Sequence, residues 1–321
     1  MKIVQTNKAY HPLIGGVETV VWNLAEGLSR RDGMKVEVLV CNNIPSFLKQ
    51  YREIKGVPVT YAPMWTKIAS LPISPTYPFH LAKMKGDILH VHEPFPLADL
   101  SILSSPRIRK NFSHIVVSWH SDIVRQKWAL SVYSSALHHF LKKVDRIIVA
   151  TPKHIESSKF LQTYSNKCEI IPYGLQLDWV KESNSRTETV KLIKNKYGSP
   201  LLLFVGRLVY YKGLRYLIDA LDTLSEARLL IIGSGPLYSE LQEQISNLGL
   251  EKRVTILTDV SDSELYAFYE ACDIFVLPST EPSEAFGLVQ VEAMACGKPV
   301  VSTELGTGVT FVNQHEITGL T

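Results

Sequence analysis

The chain has 321 residues, 45% of them hydrophobic, and a formal net charge of +3. That length allows two domains with separate cores, and that apolar share suits a globular protein. The small positive balance gives no argument for nucleic acid, and no apolar run reaches the length of a membrane span. Cys41, Cys168, Cys272 and Cys296 are scattered without CxxC spacing, which predicts reduced core thiols and a cytoplasmic setting. The first predicted strand begins almost at Met1, so no signal peptide is expected.

In chain order, strands are predicted at 2–5, 35–41, 57–61, 88–92, 114–120, 146–150 and 169–171. Helices are predicted at 16–29, 125–143 and 152–164. The polar stretch 174–200 is in part helical and reads as a connection. Alternation then restarts with a buried strand at 201–206 and a helix at 213–224. A strand at 228–232, a helix at 237–248 and a strand at 254–257 follow. Last come a helix at 262–271 opened by an Asp cap and a strand at 274–277. Such βαβ alternation argues an α/β protein with doubly wound parallel sheets. Two alternating runs predict two Rossmann-like domains, 1–173 and 174–321, with a cleft between them. Ligands of such sheets bind beyond the carboxyl ends of the strands, so those loops are where function is sought.

The densest signal is 280–301, TEPSEAFGLVQVEAMACGKPVV. A loop becomes an apolar helical run closed by Gly297, with Pro299 beyond it. The helix start offers N–H groups at Phe286, Gly287 and Leu288 and the positive end of the dipole, an anion seat. The run is apolar on nearly every side, so burial is expected, and Glu292 inside it then needs a partner. Glu284 lies just before the helix. By residue chemistry alone the two acids are either parts of an anion site or a helix-start acid and a satisfied core ion pair.

Other strand ends carry chemistry too. After the first strand, Gly15 and Gly16 let backbone approach a bulky anion at a helix start, or simply shape a loop. Their context is not the GxGxxG dinucleotide fingerprint. Glu18 reads as a helix-start acid. His90 and His92 share one strand face. No third ligand has metal spacing, so buried strand-end hydrogen bonds are expected there instead. His120 ends an apolar strand with Asp122 nearby and points toward the predicted cleft. Taken in isolation it reads as a satisfied structural histidine. Arg207 and Lys212, in FVGRLVYYKG, are two cations at a strand exit, suited to a diphosphate or else merely solvated. Gly233, in IIGSGP, marks a strand-to-helix turn beside the expected nucleotide.

The patterns E-x-F-G-x-x-x-x-E, A-M-A-x-G-x-P-V-V and G-R-L-x-x-x-K-G together resemble the donor-site signature of glycosyltransferase family 4. The likeness covers nearly all of the chain, strongly in the second half and loosely in the first. Toward the end, STELGTGVTFVNQHEITGL is most similar to bacterial enzymes of O-antigen and related surface polysaccharides. Several of those use GDP-mannose or GDP-rhamnose. The resemblance implies the GT-B fold and a retaining reaction. It implies that Arg207 and Lys212 neutralise the leaving nucleoside diphosphate, that Gly15 and Gly16 lie against it, and that Glu284 and His120 contact the donor sugar. It implies that Glu292 meets the ribose hydroxyls.

The resulting expectation is a retaining hexosyltransferase. It moves a hexose from a nucleotide-diphosphate sugar, a GDP-mannose-like donor being favoured and a UDP-sugar the alternative, to a glycan or lipid-linked acceptor. Its catalytic residues are Glu284, His120, Arg207 and Lys212. No cofactor and no essential metal are expected, because no DxD-type motif stands where the resembled family would need one. An epimerase or hydrolase on the same fold, or a non-catalytic nucleotide-sugar-binding protein, are the alternatives. A dinucleotide-dependent oxidoreductase is disfavoured by the missing fingerprint. Aromatic and basic residues mix in 65–85 (Trp65, Ile68, Leu71 and Phe79 with Lys67, Lys83 and Lys85) and in 125–143 (Arg125, Lys127, Trp128, Lys142 and Lys143). They suit weak, salt-sensitive contact with the inner face of a membrane. The chain stops at Thr321 directly after EITGL, where the resembled family runs on into a helix that crosses back. A truncated second domain is therefore expected.

Overall fold

Strands such as Leu201–Val205, LLLFV, are buried at every residue. A strand reads this way when its sheet is covered on both faces, as parallel sheets are. The computed structural model describes the chain except residues 12, 14, 69–70, 123–126 and 176–185 and the side chains of 127–132 and 262–263. It divides into two units, Met1–Leu175 and Gln176–Thr321.

The first unit holds β1 (Lys2–Asn7), β2 (Lys35–Cys41), β3 (Gln50–Ile54) and β4 (Val57–Ala62). A separate two-stranded antiparallel piece follows, β5 (Thr66–Ile68) with β6 (Leu71–Ile73). Then come β7 (Gly86–Glu93), β8 (Phe112–Trp119), β9 (Arg146–Val149) and β10 (Cys168–Ile170). The main sheet has the order β10-β9-β8-β7-β1-β2-β4-β3 and is parallel except for the β3–β4 pair. Alternation along β2 shows how both faces are used. Val36, Val38 and Val40 join the cluster containing Val21 and Ala25 of helix Gly16–Ser29. Leu39 and Cys41 join the opposite cluster, with Phe140 and Leu141 of helix Lys127–Lys143. The chain reverses its direction of sheet growth at β1 and β7, so the loops following these strands are the switch point.

The second unit holds β11 (Leu201–Val205), β12 (Arg228–Ile232), β13 (Val254–Leu257), β14 (Ile274–Leu277), β15 (Val300–Ser302) and β16 (Gly319–Leu320). They form one parallel sheet, β13-β12-β11-β14-β15-β16, whose switch point lies between β11 and β14. Amphipathic helices cover it. Helix Leu214–Asp222 buries Leu214, Leu217, Ile218 and Leu221, the i, i+3, i+4, i+7 stripe.

Several expectations need correction. Residues 152–164 form two helices, Pro152–Ser157 and Lys159–Thr163, because the Ser158 hydroxyl accepts from the Leu161 amide at 3.3 Å and restarts the helix. Helix Asp262–Ala271 is capped not by its Asp but by Ser261, in a capping box with Glu264. Helix Leu288–Ala295 is not deeply buried: Gln290 and Ala293 are, while Leu288, Val289, Val291 and Met294 are half-buried. Glu292 is likewise half-buried. Of the cysteines, all free, Cys41 and Cys272 are core residues, whereas Cys168 and Cys296 are only partly covered.

Candidate active site

In the second unit three loops meet beyond the sheet switch point. The loop after β11 carries Arg207 and Lys212, the loop after β12 carries Gly233, and the loop after β14 carries Glu284. Backbone hydrogen bonds tie them together. Leu208 N–H reaches Ser234 O at 2.9 Å, and Thr280 N–H reaches Tyr211 O at 2.8 Å. Two glycines permit this closeness. Gly213 is left-handed, and a Cβ there would lie 1.9 Å from the Pro278 carbonyl oxygen. A Cβ on Gly233 would lie equally close to the Gly206 carbonyl oxygen.

These contacts deliver Lys212 to Glu284. The two form an ion pair, each only 8% exposed, and the Ser279 hydroxyl donates to the same carboxylate oxygen at 2.9 Å. Lys212 also sits 5.7 Å from the centre of the Tyr211 ring. The loop holding Glu284 is stapled from the C-terminal side. Thr307 donates to the Glu284 carbonyl at 2.8 Å, Gly308 N–H reaches Ala285 O at 2.8 Å, and Thr303 donates to Ser279 O. Arg207 is different. It is exposed, and no hydrogen bond or ion pair to a described residue holds its guanidinium. Gly287, left-handed at φ 74°, turns the chain into helix Leu288–Ala295, and no side chain caps that helix. An uncapped helix start next to a fixed lysine and an exposed arginine can hold an anion with two negative groups. Glu292, about one turn into the helix, accepts from the Tyr269 hydroxyl at 2.7 Å. Burial and this carboxylate push Tyr269 well above the ordinary phenol range.

In the first unit the residues at the ends of β7 and β8 form a stack of rings. His90 and His92 lie 4.4 Å apart, and His92 and His120 are parallel at 5.3 Å. His90 Nε2 pairs with Ser118 Oγ at 2.8 Å, the strand-end bond that the spacing suggested. His92 Nδ1 meets His120 Nε2 at 3.0 Å, and His120 Nδ1 meets Tyr173 Oη at 2.6 Å. His120 is thus buried with both ring nitrogens engaged, and it must release one to touch a ligand. His92 Nε2 is buried with no partner among the described residues. Burial, reinforced by mutual repulsion at His92 and His120, lowers all three: His90 to about 4, His120 to about 3, His92 well below the ordinary value. All are neutral at pH 7. Asp122 accepts from the Trp119 indole at 2.9 Å, a structural duty.

Beside this stack lies a pair of acids. Glu93 and Asp99 are fully enclosed, the Phe95 amide donates to Glu93 at 2.7 Å, and the Tyr133 hydroxyl donates to Asp99. Glu93 Oε1 and Asp99 Oδ1 receive no donor from other described groups. One proton shared by the two carboxyls satisfies both. Burial raises each, Asp99 the more because Glu93 adds repulsion.

After β1, Gly15 is the extended residue before helix Gly16–Ser29, again with no side-chain cap. A Cβ on Gly16 would meet no atom of the described residues within 4 Å. The Glu18 carboxylate folds back over Gly15, where a Cβ would come within 2.3 Å of Oε2. Sequence reasoning missed Ser279, Tyr211, Tyr269, Thr307 and Tyr173. Only the glycines and threonines of GTGVT offered a signal, as a turn facing the Glu284 loop.

The family model for Glycosyltransferase Family 4 matches residues 14–179, and that for Glycosyl transferases group 1 matches residues 185–321. The O-antigen chain mannosyltransferase C of Escherichia coli is 33% identical over 99% of this chain and 84% of its own length. The D-rhamnosyltransferase WbpZ of Pseudomonas aeruginosa is 33% identical over 100% of this chain and 82% of its own. Among solved structures, HepE from Anabaena in complex with UDP superposes with a TM-score of 0.77 at 22% identity, covering 100% of this chain and 85% of HepE. Sucrose-phosphate synthase from Thermosynechococcus elongatus gives 0.75 at 21%, covering 99% and 85%. The fold is therefore GT-B.

Proposed function

This chain belongs to glycosyltransferase family 4, and from that premise we propose that it is a retaining hexosyltransferase of surface-polysaccharide synthesis. The donor is a nucleotide-diphosphate sugar, GDP-mannose-like by preference, held by the second unit. The acceptor is a glycan or lipid-linked glycan on the first unit, which puts the enzyme in the cytoplasm at the inner face of the membrane. The mannosyl and rhamnosyl transfer named for the two relatives at 33% identity supports the sugar class.

One observation carries the reading. Lys212 is locked by Glu284 beside an uncapped helix start, while Arg207 has no partner among the described residues on the same loop. In the reaction the bond between the anomeric carbon and the diphosphate oxygen breaks, and charge builds on the leaving group. Fixed donors at that point lower the barrier. Lys212, the amides of the helix start and Gly16 supply such donors, and Arg207 closes on the diphosphate. The acceptor oxygen attacks from the same face, and its proton passes to the departing phosphate. Neutral His120 can offer a hydrogen bond to a sugar hydroxyl once it lets go of Tyr173 or His92. Glu284 contacts the sugar, and Glu292 contacts the ribose.

Calorimetry with a panel of nucleotide sugars, followed by transfer assays that read the anomeric configuration of the product by NMR, tests this. Binding of a GDP-hexose and an axial-to-axial outcome are expected, with turnover surviving EDTA. An inverted product removes the front-face mechanism. Donor consumption without acceptor favours a hydrolase or epimerase.

A further inference from the structure

A cluster of large apolar side chains stands in solvent on one part of the first unit. Phe47 is 78% exposed, Leu48 74% and Ile44 71%, on the loop between β2 and β3. Trp65 and Ile68, at and beside β5, and Phe79, on helix Tyr77–Leu81, are also exposed. Such residues in one place mark an interaction surface. They are held in place. Ser46 and Met64 exchange backbone hydrogen bonds at 2.7 and 3.0 Å, Lys67 Nζ donates to Asn43 O at 3.0 Å, and the Phe47 and Trp65 rings sit 6.1 Å apart. The β2–β3 loop and the β5–β6 hairpin therefore present their apolar tips as one unit.

The charge beside these tips is one-sided. Residues 43–85 contain six Lys or Arg and a single acid, Glu53. A pocket of about 270 Å³ is lined by Lys2, Lys49, His80, Lys83 and Lys85 with Glu37. Glu37 is occupied by Lys2 at 2.7 Å. Lys49, Lys83 and Lys85 have no ion-pair partner among the described residues. Crowding is strong enough that, after burial, Lys49 and Lys83 are what hold down the His80 pKa. Lys49 follows Phe47 and Leu48 directly, and His80 follows Phe79. The cationic pocket thus opens beside the apolar tips.

We propose that this surface docks on an anionic phospholipid bilayer, the lysine pocket receiving headgroup phosphates while Phe47, Leu48, Trp65, Ile68 and Phe79 enter the acyl boundary. Unpaired lysines without nearby acids attract a negative leaflet, and aromatic tips beside them gain by leaving water. A protein partner would need acids to match the lysines and would leave the pocket without an occupant. The proposal deepens the lipid-linked acceptor reading, since docking would bring the first unit to the surface carrying such an acceptor.

Vesicle sedimentation with the full chain tests it, using phosphatidylglycerol-containing and pure phosphatidylcholine vesicles, without donor or acceptor. Binding is expected to the former only and to weaken with salt. Each lysine near a charged leaflet contributes about fivefold in partitioning, so Lys49→Gln, Lys83→Gln and Lys85→Gln together should lower it by roughly a hundredfold. Phe47→Ser with Trp65→Ser should lower it by about tenfold or more, and should do so at high salt as well. All positions are exposed, so melting curves should match the parent. Transfer to a water-soluble acceptor should be unchanged in both variants, which separates failure of docking from failure of the transferase reading. No binding at low salt, equal binding to both vesicle types, or variants that bind like the parent overturns the proposal. Self-association through this surface, lost in the variants, overturns it as well.

Discussion

The two units follow one topological rule and place opposite chemistry at its focus. Beyond β11 and β14 the second unit fixes charge: a lysine clamped by a carboxylate, and an exposed arginine with no partner among the described residues. Beyond β7 and β8 the first unit removes charge: three stacked histidines kept neutral by burial. A parallel sheet directs strand ends to one side whatever they carry, so topology says where a ligand binds and residue type says which ligand. A charged focus suits a diphosphate. A neutral, hydrogen-bonding focus suits hydroxyl groups.

The sharpest test separates the cations. Arg207→Ala should leave melting unchanged and lower turnover by about a hundredfold or more. Sequence alone predicts that Lys212→Ala is also neutral for folding, but the burial of Lys212 changes that expectation. Removing it strands Glu284 with only the Ser279 hydroxyl, at a cost of about 3–5 kcal/mol. Adding Glu284→Gln to Lys212→Ala should restore much of the stability and none of the activity. Near-normal turnover in Arg207→Ala and in the double variant would remove the second unit from the chemistry.

The neutral histidines predict an acid limit. Their folded pKa values lie below the unfolded value of about 6.5, so only the unfolded chain takes up protons as pH falls from 6.5 toward 4. Their contribution to stability is whole above pH 6.5 and is lost below it, at about 1.4 kcal/mol per pH unit for each histidine. Equilibrium urea unfolding between pH 7.5 and 5 measures this. A flat profile would mean that the stack is hydrated or charged.

The Glu93–Asp99 pair has the opposite sign. Both carboxyls are raised, so the folded chain holds a proton that the unfolded chain has released above pH 4, and stability falls as pH rises. Asp99→Asn can still donate toward Glu93 and accept from Tyr133, but it carries no proton to lose. The melting temperature of this variant should gain on the parent as pH rises above about 4, where the unfolded carboxyls have released their protons. A constant difference would show that no proton is shared.

Much of this was legible in the sequence, and what was not has a physical pattern. Strands 35–41, 228–232, 254–257 and 274–277 and helix 16–29 were readable to the residue, because hydrophobic periodicity records burial on a sheet. The edge strand β3 was not, since its three central residues, Tyr51 to Glu53, are exposed and the strand is held by pairing with β4. Arg207, Lys212 and Glu284 could be named from their motifs. Their unequal roles could not, because only the left-handed Gly213 and the approach to Pro278 bury Lys212 and leave Arg207 in solvent. The burial of helix Leu288–Ala295 was overestimated for a related reason: apolar composition states what a helix can cover, not what lies against it. The side chains of Lys127 and Trp128, and all of Arg125, lie outside the described residues.

The smallest expected effect bears on the other carboxylate of the donor motif. Tyr269 is fully buried, and its hydroxyl donates to Glu292 at 2.7 Å, fixing the carboxylate that is proposed to meet the ribose. Tyr269→Phe keeps the ring in the core, where it packs 5.7 Å from Phe275, and removes only the donor. A hydrogen bond to a charged group is worth about 1.5–3 kcal/mol, but half-buried Glu292 regains part of that from water. What is lost is orientation. KM for the donor should therefore rise by roughly three- to tenfold with kcat nearly constant, the pattern of an interaction made equally in ground and transition states. Melting should change little, because the variant buries no new polar group. If Glu292 were a purely structural acid, Tyr269→Phe would shift melting and leave KM alone, and the charged site would then end at Glu284.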